Sequence, residues 1–364
     1  MVTPTQTNPA TQGNSARILA FGRELKARGF EVDVLYYVLD DWNPEIENRM
    51  RREWSQLHIV EGRPHAKQSH AAYWGLDDWC PAELVQKVRQ LCKDHDYRAV
   101  IVNYVWLSAC LIGIDRPLRI LDTHDIFGDR AHLAISAGLE PSWYFTSIEE
   151  EARGLDRADV IIAIQHEERQ LLLPRTEASV LTVGHPVHAR FLSPRDDVTA
   201  EPFGYFASGN PWNVASIRAL DAALTTTSPP LNWMMAGSIC RQPIPFQSHP
   251  RILGVLDDPG DFYDLAACVI NPMSAGTGLK IKTVEALAYG RPVLGTSEAF
   301  RGLTAFHEAQ TAPTITDLAQ IMRNYLSSPS LRRDVTSASM RTYIDYMQTT
   351  QRAYDDLARM IIQT

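Results

Sequence analysis

The sequence predicts an α/β protein of two domains, each built around a parallel β-sheet. Its 364 residues suffice for two domains of ordinary size with separate hydrophobic cores. Short apolar segments alternate with amphipathic segments along most of the chain, which is the pattern of successive βα units. A polar stretch that carries Pro186, Pro194 and Pro202 interrupts this alternation. We therefore predict one domain over residues 1–186 and a second over residues 200–345.

The composition is typical of a soluble globular protein, with 45% hydrophobic and 21% charged residues. The net charge of −8 argues against nucleic acid as a partner, because phosphate binding requires a concentrated basic surface. No apolar run approaches the ~20 residues of a membrane span, and the polar first residues lack the apolar core of a signal peptide. The five scattered cysteines fit reduced thiols, so we expect a cytoplasmic protein. Peripheral membrane contact and the oligomeric state are left open.

The first domain begins with a glycine next to a predicted helix. Asn14 or Ser15 can cap this helix, whose apolar residues recur at helical spacing until Gly29. Gly13 lies directly before the helix and suggests a contact with a phosphate or a sugar. Since a strand should precede that glycine, either residues 1–4 form a very short strand or the start of the chain is truncated.

The stretch from residue 39 to residue 78 is polar and aromatic, and we predict that it forms loops. Aromatic rings stack on sugar rings and carboxylates accept protons from hydroxyl groups, so these loops could bind an acceptor sugar. Ordinary loop packing is the alternative, since most loop residues have no binding role. The candidate acceptor residues are Asp41, Trp42, Trp74 and Asp78.

A histidine and two carboxylates follow the strand predicted at residues 119–121, in the order Asp122-Thr123-His124-Asp125. Ligand sites of parallel sheets lie beyond the carboxyl ends of the strands, which favours a functional role for this segment. His124 could be oriented by a neighbouring carboxylate, and Asp125 could accept a proton or hold a sugar hydroxyl. The alternative for His124 is a structural hydrogen bond to a buried backbone carbonyl.

Apolar periodicity and turn residues predict the remaining elements. The predicted strands lie at residues 32–37, 99–104, 160–164, 180–183, 204–207, 233–236, 252–255 and 292–296. The predicted helices lie at residues 81–93, 147–157, 213–224, 280–290, 315–326 and 331–362. Glu149, Glu150 and Glu151 are expected to form a solvated first turn, since acidic residues favour the positive end of the helix dipole.

The most informative segment runs from Ala266 to Leu303. It predicts a buried strand at Cys268–Asn271, a glycine-rich loop, a helix and a second buried strand. Within the loop, Gly276 and Gly278 let the backbone approach a ligand closely. The free amides at the start of the following helix attract an anion. The segment therefore predicts a βαβ unit with a binding site for phosphate.

The helix of this segment carries a candidate carboxylate. Its apolar residues fall on one arc, which would face the sheet, and Glu285 lies at the edge of that arc. A half-buried carboxylate needs hydrogen-bond donors, and the two hydroxyls of a ribose would serve. Gly290 and Pro292 end the helix. The alternative is a surface ion pair between Lys282 and Glu285, in an α/β fold that binds no sugar.

The run GTGLKIKTVEALAYGRPVLGTSEAFRGL resembles the donor-binding segment of GT-B glycosyltransferases, in particular the retaining family 4 type of bacterial polysaccharide synthesis. This resemblance implies two Rossmann-like domains that face each other across a cleft, with the C-terminal helix crossing back to the N-terminal domain. It thereby assigns residues 346–364 to the first domain, and the apolar stripe of this region suits such docking.

The resemblance also implies roles for individual residues. It places the donor diphosphate at the glycine-rich loop with Lys280 or Lys282, and the nucleotide ribose at Glu285. It places His124 and Asp125 near the acceptor and the anomeric carbon of the sugar, so that His124, Asp125 and Lys282 are the candidate catalytic residues. The further candidate donor residues are Gly13, Gly209, Gly254, Val255, Gly276, Thr277, Gly278 and Leu279.

The segment departs from the resembled family in two respects. The family often carries another glutamate eight residues before the one matched by Glu285, where this chain has Thr277. An arginine and a lysine usual near residues 208–213 are also missing, so Lys280, Lys282 and Arg301 would supply the positive charge.

The sequence thus predicts a glycosyltransferase that moves a sugar from a nucleoside diphosphate sugar, with UDP favoured over GDP. The acceptor would be a glycan or another hydroxyl, including a lipid-linked or protein acceptor. Retention of configuration is implied by the resemblance, and neither a metal nor a cofactor is expected. The alternatives are a nucleotide-sugar epimerase or a phosphorylase of the same fold, and a subunit that binds a nucleotide sugar without turnover.

Overall fold

A computed structural model describes residues 1–10, 12–39, 42–62, 68–195, 202–225 and 230–364. These residues form two compact units. The first unit contains Met1–Pro186 and Thr349–Thr364, and the second contains Val187–Gln348. Each unit contains a parallel sheet with helices, which is the fold class that the sequence predicts.

Helices and strands alternate along the first unit. Its strands within the described residues are β1 (Val2–Thr3), β2 (Asp33–Tyr37), β3 (Gln56–Val60), β4 (Ala99–Asn103), β5 (Leu118–Asp122), β6 (Val160–Ala163) and β7 (Ser179–Thr182). Its helices are α1 (Gly13–Ala27), α2 (Pro44–Glu53), α3 (Ala82–Asp94), α4 (Arg130–Ser136), α5 (Ile148–Leu155) and α6 (His166–Leu172). Short 3₁₀ helices cover Val105–Leu111 and Leu173–Arg175.

The strands of the first unit pair in parallel in the order β3-β2-β1-β4-β5-β6-β7. Strand β1 has two residues, so the very short first strand that the sequence predicted as one alternative is present. Its Val2 pairs with Leu35 on one side and with Val102 on the other. The direction of strand order changes between β1 and β4, which is where α/β sheets usually bind ligands.

The stretch between residues 39 and 78 is more ordered than predicted, because its described part contains α2 and β3. The Asn43 side chain caps α2 by accepting two backbone N–H groups at 3.0 Å, and Met50 is the buried residue of this helix. Strand β3 lies at the edge of the sheet and buries only Leu57. Each of these elements fully buries a single residue, so the apolar signal from which helices and strands are predicted is weak in this stretch.

Two details of the first unit differ from the predictions. Gln12, rather than Asn14 or Ser15, is the N-cap of α1, and Ser15 lies inside the helix with its hydroxyl accepting from Gln12 N at 3.1 Å. In the first turn of α5, Glu151 is buried and not solvated, since it accepts from Phe127 N at 2.7 Å and pairs with Arg175. Tertiary partners outside the helix account for this burial.

The second unit repeats the alternation. Its strands within the described residues are β8 (Phe203–Phe206), β9 (Trp233–Ala236), β10 (Arg251–Gly254), β11 (Cys268–Asn271), β12 (Val293–Thr296) and β13 (Thr311–Ala312). Its helices are α7 (Pro211–Thr225), α8 (Pro259–Leu265), α9 (Ile281–Ala288), α10 (Ile315–Ser327) and the start of α11 (Pro329–Gln363). Short 3₁₀ helices cover Ser238–Arg241, Ser297–Phe300 and Glu308–Gln310.

The second sheet has the order β10-β9-β8-β11-β12-β13, and all its pairs are parallel. The direction of strand order changes between β8 and β11. The loop after β11 is the predicted glycine-rich loop, so the predicted phosphate site lies beside the point where open α/β sheets bind ligands.

The long helix α11 contributes to both units. Its residues up to Gln348 belong to the second unit, and those from Thr349 belong to the first. Tyr354, Leu357 and Ile361 are buried in a hydrophobic cluster of the first unit. The C-terminal apolar stripe therefore packs in the core of the first unit.

Candidate functional site

The carboxyl ends of β8 to β12 lie at one edge of the second sheet, because the strands are parallel. Hydrogen bonds join the loops that leave this edge. Gly237 N, after β9, donates to the carbonyl of Gly254 at 2.8 Å, and Gly209 N, after β8, donates to Ser238 Oγ at 3.2 Å. These contacts fix the loops relative to one another.

The glycine-rich loop has a backbone conformation that only glycine adopts readily. The φ angles are +135° at Gly276 and +72° at Gly278. A side chain at either position would be strained, and a Cβ atom on Gly276 would lie 3.2 Å from Cε of Met273. Thr277 is half-buried and Leu279 is buried. The loop therefore has the two glycines that close approach of its backbone to a ligand requires.

Lys280 holds this loop in place through a hydrogen bond and an ion pair. Its ammonium group donates to the carbonyl of Gly278 at 2.9 Å and pairs with Glu298, after β12, at 2.9 Å. The side chain is buried. Because Glu298 already neutralises the charge, Lys280 is less suited than Lys282 to bind a second anion.

Lys282 lies in the first turn of α9, and no described carboxylate pairs with its ammonium group. Nζ donates to Asn213 Oδ1 at 2.5 Å and to the Tyr205 hydroxyl at 3.2 Å, and it lies 4.9 Å from the centroid of the Tyr205 ring. Burial, followed by the charge of Lys280, lowers the pKa of Lys282 to about 7. An adjacent anion would favour the charged form, so this position suits a phosphate group.

Glu285 lies three residues further along α9, and its Oε2 accepts a hydrogen bond from the Tyr263 hydroxyl at 3.0 Å. Burial raises the pKa of Glu285, while the Tyr263 hydrogen bond and the charge of Arg190 oppose this rise. In the chain as far as the structure describes it, Glu285 and Lys282 form no ion pair. The surface ion pair between Lys282 and Glu285, which the sequence left as an alternative, is therefore absent from this described part of the chain.

The other candidate donor residues are divided between the units. Gly209 and Gly254 lie at the loop edge of the second sheet, and Gly254 has a φ of +82°. Val255 follows and is 51% exposed. Gly13 is the exposed first residue of α1 in the first unit. Contact of these residues with a donor stays a prediction.

His124 follows β5, is buried and has a φ of +61°. Its ring stacks on Tyr104 with centroids 4.3 Å apart, and Nε2 lies 2.8 Å from Oδ1 of Asn103. Because the Asn103 amide nitrogen donates to the carbonyl of Val2 at 2.7 Å, its Oδ1 faces the ring, and Nε2 carries the proton. Burial lowers the pKa of His124 to about 4, so the ring is neutral at physiological pH. His124 thus links β5 to β4 and β1, through a side-chain amide and not a backbone carbonyl.

The carboxylates beside His124 are paired with arginines. Asp122 is the last residue of β5, not part of the following loop, and Arg17 binds it through two hydrogen bonds of 3.0 Å. Both side chains of that pair are buried. Asp125, the predicted proton acceptor, pairs with Arg130. Its catalytic role stays a prediction.

The candidate acceptor residues take part in local packing. Trp42 and Trp74 pack against neighbouring aromatic rings at centroid distances of 5.2 and 5.6 Å. The Asp78 carboxylate accepts two backbone N–H groups of its own loop at 2.8 Å. Asp41 lies outside the described residues. These contacts are those of local packing, and acceptor binding by the three described residues stays a prediction.

Sequence reasoning missed the side chains that hold Lys282 and Glu285. Tyr205 lies on β8, Asn213 on α7 and Tyr263 on α8. Their contacts join positions that are 77, 69 and 22 residues apart. No periodicity or short motif relates residues at such separations, so the sequence carried no signal for these pairs.

Three other properties concern the described part of the chain. Its His, Cys, Asp and Glu residues form no group of three that could hold a metal ion. None of its helices is both long enough and apolar enough to span a membrane. Its cysteines are free thiols.

No family model and no curated protein matches this sequence. Solved structures do match along the whole chain. The chain is similar to sucrose-phosphate synthase from Thermosynechococcus elongatus, with a TM-score of 0.74, 15% identity, and coverage of 100% of this chain and 98% of that chain. It is similar to HepE from Anabaena in complex with UDP-glucose, with a TM-score of 0.68, 14% identity and 98% coverage of both chains.

A glycosyltransferase from Rickettsia africae matches with a TM-score of 0.65 and 14% identity, over 100% of this chain and 98% of that chain. At such low identity the three likenesses establish the fold. This fold contains the two parallel sheets described above. The chain has the two-domain GT-B fold of glycosyltransferases.

Proposed function

We propose that this protein is a glycosyltransferase that transfers a sugar from a nucleoside diphosphate sugar to an acceptor hydroxyl. The observation that carries the proposal is the arrangement on α9 of two charged groups with separate environments. Lys282 is held by a neutral amide and a tyrosine, and Glu285 lies half-buried three residues later. The glycine-rich loop precedes both. This order fits a diphosphate followed by a ribose.

The diphosphate would bind to the amides of the glycine-rich loop and to Lys282. Breaking the glycosidic bond leaves negative charge on the diphosphate, and cations and N–H groups that are already in place stabilise that charge without reorganisation. Lys282 suits this role because its partners, Asn213 and Tyr205, orient the ammonium group without neutralising it. We propose that these groups suffice without a metal ion.

The ribose would bind to Glu285, and the nucleobase to the backbone at Gly254 and Val255. A carboxylate accepts hydrogen bonds from two neighbouring hydroxyls, which is the pair that a ribose presents. HepE, which has a similar fold, was solved in complexes with UDP and with UDP-glucose. This likeness favours a UDP sugar over a GDP sugar as the donor.

The acceptor would be a glycan or a lipid-linked or protein-linked hydroxyl, and His124 and Asp125 of the first unit are the candidate groups on the acceptor side. Because Nε2 donates to Asn103, the neutral ring of His124 would offer only Nδ1 to a sugar hydroxyl, as an acceptor, and would not act as a cation at neutral pH. Transfer with retention is proposed from the resemblance of the donor segment to retaining enzymes.

A thermal-shift screen against UDP, GDP and ADP, followed by turnover assays with UDP sugars in the presence of EDTA, tests the proposal. We expect UDP to raise the melting temperature, because a ligand that binds only the folded state stabilises it. Glu285→Gln and Lys282→Met should lose this effect, whereas Lys93→Met, which changes an exposed lysine, should keep it.

The release of UDP and a glycoside with chelator present would support metal-free transfer. Conversion of the donor alone into an isomer would identify an epimerase, and a requirement for inorganic phosphate would identify a phosphorylase. Binding of UDP without any turnover would identify a non-catalytic subunit. A screen in which no nucleoside diphosphate changes the melting temperature would contradict the proposal.

A further inference from the structure

Tyr263 is a fully buried tyrosine on α8 whose hydroxyl donates to Oε2 of Glu285 at 3.0 Å. We propose that Tyr263 is a positioning residue that orients Glu285 and thereby makes the site prefer ribose to deoxyribose. This inference rests on the proposed function, in which Glu285 binds the ribose of the nucleotide.

The ring of Tyr263 is held on two sides and at its backbone. It stacks on Tyr289 with centroids 4.4 Å apart and an interplanar angle of 22°, and it packs edge-on against Phe262 at 5.2 Å. The carbonyl of Tyr263 accepts a hydrogen bond from Nε of Arg291 at 2.7 Å. Because these contacts fix the ring, its hydroxyl group has a defined position beside the carboxylate.

The stack continues to the start of the second unit. The Tyr289 hydroxyl accepts from Nη1 of Arg190 at 3.2 Å, and Arg190 N donates to the carbonyl of Ala288 at the end of α9 at 2.8 Å. Arg190, Tyr289, Tyr263 and Glu285 therefore form a continuous column. This column shares no residue with the contacts of Lys282, which is held by Tyr205 and Asn213.

A carboxylate that binds two neighbouring hydroxyls must keep its plane aligned with both of them. The hydroxyl group of Tyr263 occupies one acceptor position on Oε2 and so restricts rotation of the Glu285 carboxylate. Without this hydrogen bond the carboxylate could turn toward a single hydroxyl, and a deoxyribose would bind as well as a ribose. Burial raises the pKa of Glu285, whereas the Tyr263 hydrogen bond opposes this rise and so helps to keep the carboxylate ionised.

Isothermal titration calorimetry with UDP and with 2′-deoxy-UDP tests the inference on the wild-type chain, Tyr263→Phe and Tyr343→Phe. We expect Tyr263→Phe to weaken UDP binding by about five- to tenfold, the effect of one ordinary hydrogen bond, and to change 2′-deoxy-UDP binding by less than about twofold. As the pH is lowered, the UDP affinity of this variant should fall at a higher pH than that of the wild-type chain, because the Glu285 carboxylate is then protonated more easily.

Tyr343→Phe is the matched control, since Tyr343 is another buried tyrosine of the second unit and its hydroxyl donates to the carbonyl of Val187 at 2.7 Å. It should keep the wild-type ratio of the two affinities. Tyr289→Leu, which removes the stacked ring but keeps the Tyr263 hydroxyl, should reduce the ratio partly, and it supplies the test if Tyr263→Phe does not fold.

If Tyr263→Phe folds and the ratio of its affinities for UDP and 2′-deoxy-UDP equals that of the wild-type chain, the inference is overturned. If Glu285→Gln abolishes the preference for UDP while Tyr263→Phe retains it, the inference fails and the proposed function stands. If the wild-type chain binds neither nucleotide, the proposed function fails as well. A ratio that falls in Tyr263→Phe and not in Tyr343→Phe supports the inference.

Discussion

The ammonium group of Lys282 lies 2.5 Å from the amide oxygen of Asn213, which binds it without neutralising its charge. Lys280, two residues earlier, is instead paired with the carboxylate of Glu298. The two lysines therefore differ in their electrostatic state although they are near neighbours in sequence. Lys280 stabilises the glycine-rich loop, and the charge of Lys282 is available to be neutralised by a bound anion.

This difference predicts opposite effects for the two Lys→Met substitutions. Lys282→Met should weaken UDP binding by about 10- to 100-fold, because the diphosphate loses a charge-assisted hydrogen bond. It should not lower the free energy of unfolding, because it removes a buried ammonium group whose charge is unfavourable in the folded chain. Lys280→Met should lower the free energy of unfolding by about 2 kcal/mol, because Glu298 loses a buried partner. Calorimetry and urea denaturation measure the two quantities, and the reverse pattern would contradict the assignment.

UDP binding should be coupled to protonation of Lys282. Burial and the charge of Lys280 lower the pKa of Lys282 from 10.5 to about 7. Charging Lys282 therefore lowers the free energy of unfolding below pH 7, and this loss disappears as the pH rises toward 10.5. A bound diphosphate favours the ammonium form. We therefore expect uptake of about one proton on binding at pH 8, and an affinity that falls as the pH rises above 7.

Calorimetry at pH 8 in two buffers of different ionisation enthalpy measures this uptake. Lys282→Met is the control, because it removes the titrating group and leaves the residues of the glycine-rich loop unchanged. Proton uptake of the same size in that variant would assign the effect to another residue.

The glycine-rich loop should tolerate no side chain at Gly278. Gly278→Ala forces alanine into a φ of +72°, which should cost about 1–2 kcal/mol of unfolding free energy and displace the amides that would bind the diphosphate. Gly138→Ala is a matched control, since Gly138 has a φ of +70° and open space where a Cβ atom would lie, but belongs to the first unit. Urea denaturation should show a similar cost for both, and calorimetry should show loss of UDP binding for Gly278→Ala alone. Loss of binding in both variants would mean that general destabilisation is the cause.

Stability should fall in acid partly because of His124. Burial lowers the pKa of His124 from 6.5 to about 4 in the folded protein, so its contribution to stability is present above pH 6.5 and is lost as the pH falls toward 4. Between pH 7 and pH 4.5 the free energy of unfolding of the wild-type chain should drop by about 2 kcal/mol more than that of His124→Gln.

Urea denaturation at the two pH values measures this difference. His132→Gln, which changes an exposed histidine on α4, should behave as the wild-type chain does. An acid-induced drop of equal size in His124→Gln and in the wild-type chain would show that His124 is not the group responsible.

The sequence by itself determined the local structure of the donor segment. The strand Cys268–Asn271 lies where apolar β-branched residues predicted it, and the glycine-rich loop and α9 follow in the predicted order. Gly276, Gly278 and Gly290 all have positive φ angles. Such features depend on side-chain periodicity and on backbone conformations that few residues adopt, so they can be read from neighbouring positions in the chain.

Only the tertiary structure decided which charged groups are paired and which elements form at the sheet edge. Asn213 and Tyr263 reach Lys282 and Glu285 because the order of strands places α7 and α8 next to α9. Asn103 reaches His124 because β4 and β5 are adjacent. Contacts of this kind depend on how distant segments pack, and local propensity does not encode the order in which strands pair.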